Sequence, residues 1–176
     1  MICELLTECT GNIKTSGSFK CKNLKECVVC SDHRTKVKCE EKRKKYILEN
    51  TQKNHVIVYK MDGGIITEDK TAQGINRCDY LFSVFGQESN ALLIELKGVD
   101  ICKGLRQISD TLDMFRDYFK QFDHTYGRLV MTSAYPKFNA RPEYVKLVSK
   151  LRKEYKGNLK TSENEMQEKD VNLAMD

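Results

Sequence analysis

No apolar run in the sequence approaches the roughly 18 to 20 residues that a helix needs to cross a bilayer. The first residues, Met1-Ile2-Cys3-Glu4-Leu5-Leu6, have no basic region leading into an apolar stretch. No secretory signal is therefore expected, and the cytoplasm is the expected compartment. There is no G-x-x-x-x-G-K-[ST] loop to cradle nucleotide phosphates. Any step that needs ATP hydrolysis would draw on a protein partner supplying the ATPase or the targeting. The three histidines, His33, His55 and His124, are scattered, so no Ser/His/Asp or Cys/His set follows from their spacing. No internal repeat is visible.

What is present fits a water-soluble globular chain: 176 residues, 40% apolar and 31% charged. One core of useful size is expected at this length. The net charge of +5 is uneven, with 13 lysines and arginines against 7 acids in residues 1–60. A basic N-terminal third suits a polyanion, and a solvated lysine-rich face would explain the same charge.

Six of the eight cysteines fall within the first 39 residues. In a cytoplasmic chain reduced thiols or a metal are expected rather than disulfides. Cys27-x2-Cys30 is a zinc-knuckle spacing, and Cys21 and Cys39, with His33 between, would have to close a structural Zn2+ site from a distance. Plain thiols are the alternative.

Residues 36–53 contain no Gly or Pro, and Glu40 and Glu41 precede Lys44 and Lys45 by four, which predicts a helix with a basic outer face. His55–Lys60 reads as a strand, Asp62-Gly63-Gly64 as a turn and residues 65–67 as its return strand. Asp62 is expected to serve that turn. Ile101, Leu105, Ile108, Leu112, Phe115 and Phe119 form an apolar stripe and predict a helix over 100–120. Gln107 lies beside that stripe, near its N-terminal end. Residues 128–134 predict a strand. Pro142 opens a helix whose apolar face is Tyr144, Val148, Leu151 and Tyr155, with Gly157 at its end. Residues 158–161 suggest a short strand, and the polar residues after Ser162 are expected to fray.

The centre of the chain is residues 78–98. Cys78–Phe85 and Ala91–Gly98 read as two strands joined by a tight connection. Side chains alternate across a strand, so Leu92, Ile94 and Leu96 share one face and Glu95 and Lys97 the other. A connection centred on Gln87 sets Asp79 opposite Glu95. Two carboxylates and a lysine then share one patch. Mg2+ (or Mn2+) prefers hard oxygen ligands and is usually held by one or two carboxylates. Asp79 and Glu95 would supply them, with the backbone carbonyl of Leu96 as a third oxygen. Such a metal assists phosphodiester hydrolysis, and Lys97 would orient the attacking water or offset charge on phosphorus.

The pattern Cys78-Asp79-Tyr80-Leu81-Phe82 followed by Ile94-Glu95-Leu96-Lys97-Gly98 resembles the PD-(D/E)XK nuclease superfamily, which includes many restriction endonucleases, Holliday junction resolvases and recombination-type exonucleases. Cys78 stands where the motif has proline. The resemblance covers roughly residues 37–134 and implies a mixed α/β (α+β) sheet with the restriction-endonuclease-like αβββαβ core. It also implies a Gln on the helix after the Glu-x-Lys strand, a position Gln107 fits. A further metal-binding Glu on the first helix could be Glu40, Glu41 or Glu49, between which periodicity does not choose.

The organisation expected is a cysteine-rich N-terminal extension over residues 1–35, a nuclease-like domain over 36–161 and a polar acidic tail over 162–176. The function expected is Mg2+-dependent hydrolysis of DNA in restriction, repair or defence against mobile DNA, with Asp79, Glu95, Lys97 and Gln107 forming the site. A homodimer is expected by analogy, and no membrane is involved. The alternatives are a non-cleaving nucleic-acid-binding module or a zinc-stabilised adaptor.

Overall fold

The computed structural model describes Leu6, Gly11 and residues 27–67, 74–134 and 136–175. Among these residues the chain runs β1 (Val28–Asp32), β2 (Lys36–Glu41), β3 (Lys44–Glu49), β4 (His55–Lys60), β5 (Tyr80–Phe85), β6 (Ser89–Leu96), α1 (Ile101–Met114), α2 (Arg116–Phe119), β7 (His124–Met131), α3 (Pro142–Tyr155), β8 (Leu159–Glu163) and β9 (Glu165–Lys169). The main sheet has the order β1-β4-β5-β6-β7-β8, and a smaller sheet has the order β2-β3-β9. The first four main-sheet strands pair antiparallel, whereas β6-β7 and β7-β8 are parallel. The fold is thus mixed α/β, with two mixed sheets and few helices.

Three layers result. Ile57, Tyr59, Leu81, Leu93 and Leu129 pack against Ile101, Leu105, Ile108 and Leu112 of α1 and Leu147 and Leu151 of α3. On the other face Val56, Val58, Phe82, Leu92, Ile94 and Val130 pack against Val37, Tyr46, Leu48 and Met166 of the smaller sheet. Both faces of β5 and β6 are therefore covered, which explains why their sequences are apolar at nearly every position. Burying a Leu or Ile side chain contributes about 1.5–3 kcal/mol. The middle of β6, buried on both faces, is thus held firmly enough to carry a buried carboxylate at its end.

The stripe predicted for residues 100–120 is observed and is buried. The helix is interrupted at Phe115, where α2 begins, and Asp100 caps α1 by accepting from the Lys103 N–H at 2.9 Å. α3 opens on Pro142, as read from the sequence. At its end the left-handed residue is Lys156, with φ 51°. Gly157 is needed for a different reason: a Cβ there would stand 1.8 Å from the Thr125 carbonyl oxygen.

Three local expectations fail. Residues 36–53 form the antiparallel hairpin β2-β3, not a helix. Val37 and Cys39 turn inward and Lys36 and Lys38 outward, a period of two that the Glu/Lys pairing had obscured. Residues 65–67 are not a return strand; Ile66 makes only an isolated bridge with Asp62. The polar tail does not fray. Its strand β9 runs parallel to β3 and buries Met166. The cause is Arg128 of β7, fully buried, which donates to both oxygens of Glu168, to Asn158 Oδ1 at 2.9 Å and to the Leu173 carbonyl at 3.0 Å. Tyr46 donates to the same Glu168 at 2.7 Å. One buried guanidinium so ties the tail to both sheets.

Candidate active site

Tyr80 pairs with Ile94 across β5-β6, and the same register carried one step sets Asp79 opposite Glu95, as the hairpin centred on Gln87 requires. Both carboxylates lie at the edge of the main sheet where β6 ends. Asp79 Oδ2 accepts from the Leu96 N–H at 2.7 Å. Glu95 is 1% exposed, and its Oε2 has no hydrogen-bond partner. Its Oε1 stands 3.8 Å from Lys97 Nζ. An unsatisfied buried carboxylate oxygen is costly. A hard cation between Glu95 and Asp79 would satisfy it, so the donors present fit Mg2+ or Mn2+.

The electrostatics agree with the geometry. Burial pushes the Asp79 carboxyl up to about 6, reinforced by Glu41 and Asp62 and opposed by the Leu96 N–H and Lys97. Burial, and then the neighbouring Asp79, push Glu95 well above the usual carboxylate range, with Lys97 opposing. Two crowded carboxylates that resist ionising together are what a divalent cation relieves.

Helix α1 builds the other wall. Gln107, buried, accepts from Lys97 Nζ at 2.7 Å through Oε1 and donates through Nε2 to the Arg77 carbonyl at 2.7 Å. Thr111, one turn on, donates to the Gln107 carbonyl at 2.7 Å and accepts from the Cys78 N–H at 2.9 Å. Proline has no N–H and could not make that bond, so Cys78 in the proline position gains an anchor to α1. Gly104 lets the helix approach: a Cβ there would meet Leu129 Cδ1 at 2.9 Å, Lys97 Cγ at 3.3 Å and Glu95 Cγ at 3.4 Å. Neither Thr111 nor Gly104 carried a signal readable in the sequence, because the Thr111 hydroxyl meets backbone groups that only the fold brings together and Gly104 acts by having no side chain.

Of the three glutamates left open, the structure brings Glu41 to the site. It reaches over the sheet edge from the end of β2, where its Oε1 accepts from the Tyr80 hydroxyl at 3.1 Å, and its charge acts on both Asp79 and Glu95. Glu40 faces solvent, and Glu49 lies at the far end of the hairpin, paired in register with Lys36. Asp62 lies close enough to bear on Asp79, and it accepts from Arg77 Nε at 2.6 Å. Among the described residues no three His, Cys, Asp or Glu side chains converge closely enough to hold an ion between them.

The cysteine set is not brought together among the described residues. Cys27 packs on the helix side of the main sheet, Cys30 and Cys39 pack on the other, and Cys21 lies outside the described residues. Two histidines that looked scattered do meet, at the opposite edge of the sheet. The His33 and His55 rings are 4.7 Å apart, and Ser31 Oγ is 2.7 Å from His55 Nε2. The nearby Asp32 carboxylate is taken up by Arg34.

No protein-family model, curated protein or solved structure matches the chain.

Proposed function

We propose that the protein is a metal-dependent nuclease that hydrolyses DNA phosphodiester bonds. The observation that carries this reading is the buried, half-unsatisfied Glu95 carboxylate facing Asp79, with Lys97 fixed beside it by Gln107. Asp79 and Glu95 would hold Mg2+ or Mn2+, with the Leu96 carbonyl as a third oxygen and the Glu41 carboxylate adding negative charge nearby. When bound, the cation would polarise the phosphate and lower the pKa of a coordinated water.

The chain's own groups do the rest. Lys97 Nζ, held by Gln107, orients the attacking water and offsets charge on the phosphoryl oxygens. The low-dielectric floor of β6 strengthens that interaction. The resemblance to the PD-(D/E)XK superfamily points the same way and suggests restriction, repair or defence against mobile DNA as the setting. A homodimer would place two such sites on a duplex. A partner protein would supply ATP hydrolysis or targeting where the process requires it.

The test is cleavage of linear, circular and branched DNA with Mg2+ or Mn2+, comparing the wild type with Asp79→Ala and Lys97→Ala. The wild type is expected to cut and both variants to fail. A wild type that cuts nothing would leave a non-cleaving nucleic-acid-binding module as the better reading, and variants that cut as well as it does would remove Asp79 and Lys97 from the chemistry.

A further inference from the structure

The β2-β3 hairpin stands where a helix was expected, and its tip holds the most unusual backbone near the site. Glu41 pairs with Lys44, so the connecting turn is Lys42-Arg43, with φ of 45° and 66°. Positive φ at both central residues is the signature of a type I′ turn, which favours Asn-Gly. A residue with a Cβ is disfavoured in this left-handed region. Two long cations therefore occupy positions that backbone preference would give to other residues.

The turn is nevertheless fixed from several sides. Lys44, buried, donates from Nζ to the Lys42 carbonyl at 3.2 Å. The Lys45 N–H donates to the Asn164 carbonyl at 3.0 Å. Glu41, next in sequence, is held by the Tyr80 hydroxyl. By contrast, the side chains of Lys42 and Arg43 are exposed, and no other described residue engages either of them. The tip is thus a hydrogen-bonded mount for two cations that no other described residue engages.

Its position gives the mount a purpose. Successive Cα atoms lie about 3.8 Å apart, so Lys42 and Arg43 begin one and two steps from Glu41, whose carboxylate accepts from the hydroxyl of Tyr80, the residue after Asp79, at 3.1 Å. A DNA strand with one phosphate at Asp79 and Glu95 continues with a phosphate about every 3.4 Å of helix axis. We propose that Lys42 and Arg43 grip the phosphate backbone of duplex DNA beside the cleaved bond. This rests on the nuclease reading above. Arg43 offers a planar fork to phosphate oxygens and Lys42 a point charge.

The experiment uses the full chain with Lys42→Asn and Arg43→Gly together. Asn-Gly suits the turn better than Lys-Arg, so the variant is expected to keep or raise its urea midpoint while losing both charges. Binding of a 30-base-pair duplex is measured in Ca2+ from low to moderate salt. The dependence of log K on log salt is expected to become less negative by about two, one per lost phosphate contact. Lys146→Gln with Lys153→Gln removes the same charge from exposed positions on α3 and is expected to leave the slope unchanged. If wild type binds and cuts but the Asn-Gly variant keeps the full slope, or the α3 variant loses as much, the grip is wrong and the nuclease reading stands. If wild type neither binds nor cuts, both fall.

Discussion

Gln107 holds Lys97 Nζ with one end of its amide and the Arg77 carbonyl with the other, both at 2.7 Å. One side chain of α1 thereby fixes the lysine after β6 relative to the segment that leads into Asp79. Gln107→Leu should remove both bonds and cost about 1–2 kcal/mol of stability. Cleavage kinetics should show kcat down by about 10- to 100-fold with KM little changed, since Gln107 acts by positioning Lys97. Gln107→Glu keeps an acceptor for Lys97 but leaves the Arg77 carbonyl without its donor. It should recover kcat more than stability.

The raised Asp79 carboxyl makes a pH prediction of definite sign. Its folded value is about 6 against 3.8 for the ordinary group, so the folded state binds the proton more tightly than the unfolded chain. Stability should then fall as pH rises through the window between those values. Two units correspond to on the order of 3 kcal/mol at most. Asp79→Asn has no such titration. Urea unfolding without divalent cations should show Asp79→Asn gaining on the wild type from pH 4 to 7, with the gap closing near pH 4. Mg2+ should offset the wild type's loss at pH 7 and have no effect near pH 4.

Gly104 separates helix propensity from site geometry. Alanine gains about 1 kcal/mol in a helix interior, while its Cβ presses on Leu129, Lys97 and Glu95. Overpacking costs about 1–3 kcal/mol. Gly104→Ala should therefore be within about 2 kcal/mol of the wild type by urea unfolding yet cut more slowly. Gly104→Val should lose both stability and activity.

Arg128 makes a prediction about the tail. Arg128→Met leaves the Glu168 carboxylate buried without its main counter-charge, a change that costs about 3–5 kcal/mol. Adding Glu168→Gln removes the stranded charge while keeping an acceptor for Tyr46. Urea unfolding should show the double variant more stable than Arg128→Met alone.

The parts of the fold that were legible in the sequence were those with a single strong period. The 78–98 hairpin and its register, α1 and α3 follow from apolar spacing, and with them the pairing of Asp79 and Glu95; the strand expected over 128–134 is also present, but as β7 it begins four residues earlier and ends at Met131. The β2-β3 hairpin was hidden because Glu40, Glu41, Lys44 and Lys45 satisfy helical pairing and strand pairing alike. Its turn carried Lys-Arg where Asn-Gly would have announced it. β9 was hidden because it buries little beyond Met166, and its order depends on a distant arginine. In the site, Lys97 and Gln107 are both named from the sequence and the structure joins them by a hydrogen bond of 2.7 Å, whereas Glu41 could be singled out only once the hairpin carried it over the sheet edge to Tyr80.

The most direct measurement is the rate of Mn2+-dependent cleavage of a plasmid by Glu95→Gln against wild type, with both confirmed folded by circular dichroism. Glutamine keeps the shape of the side chain and removes the charge that a cation needs. The account predicts cleavage by the wild type and a loss of at least about 1,000-fold in the variant, roughly 4 kcal/mol in the barrier. Equal rates for the two proteins would contradict it.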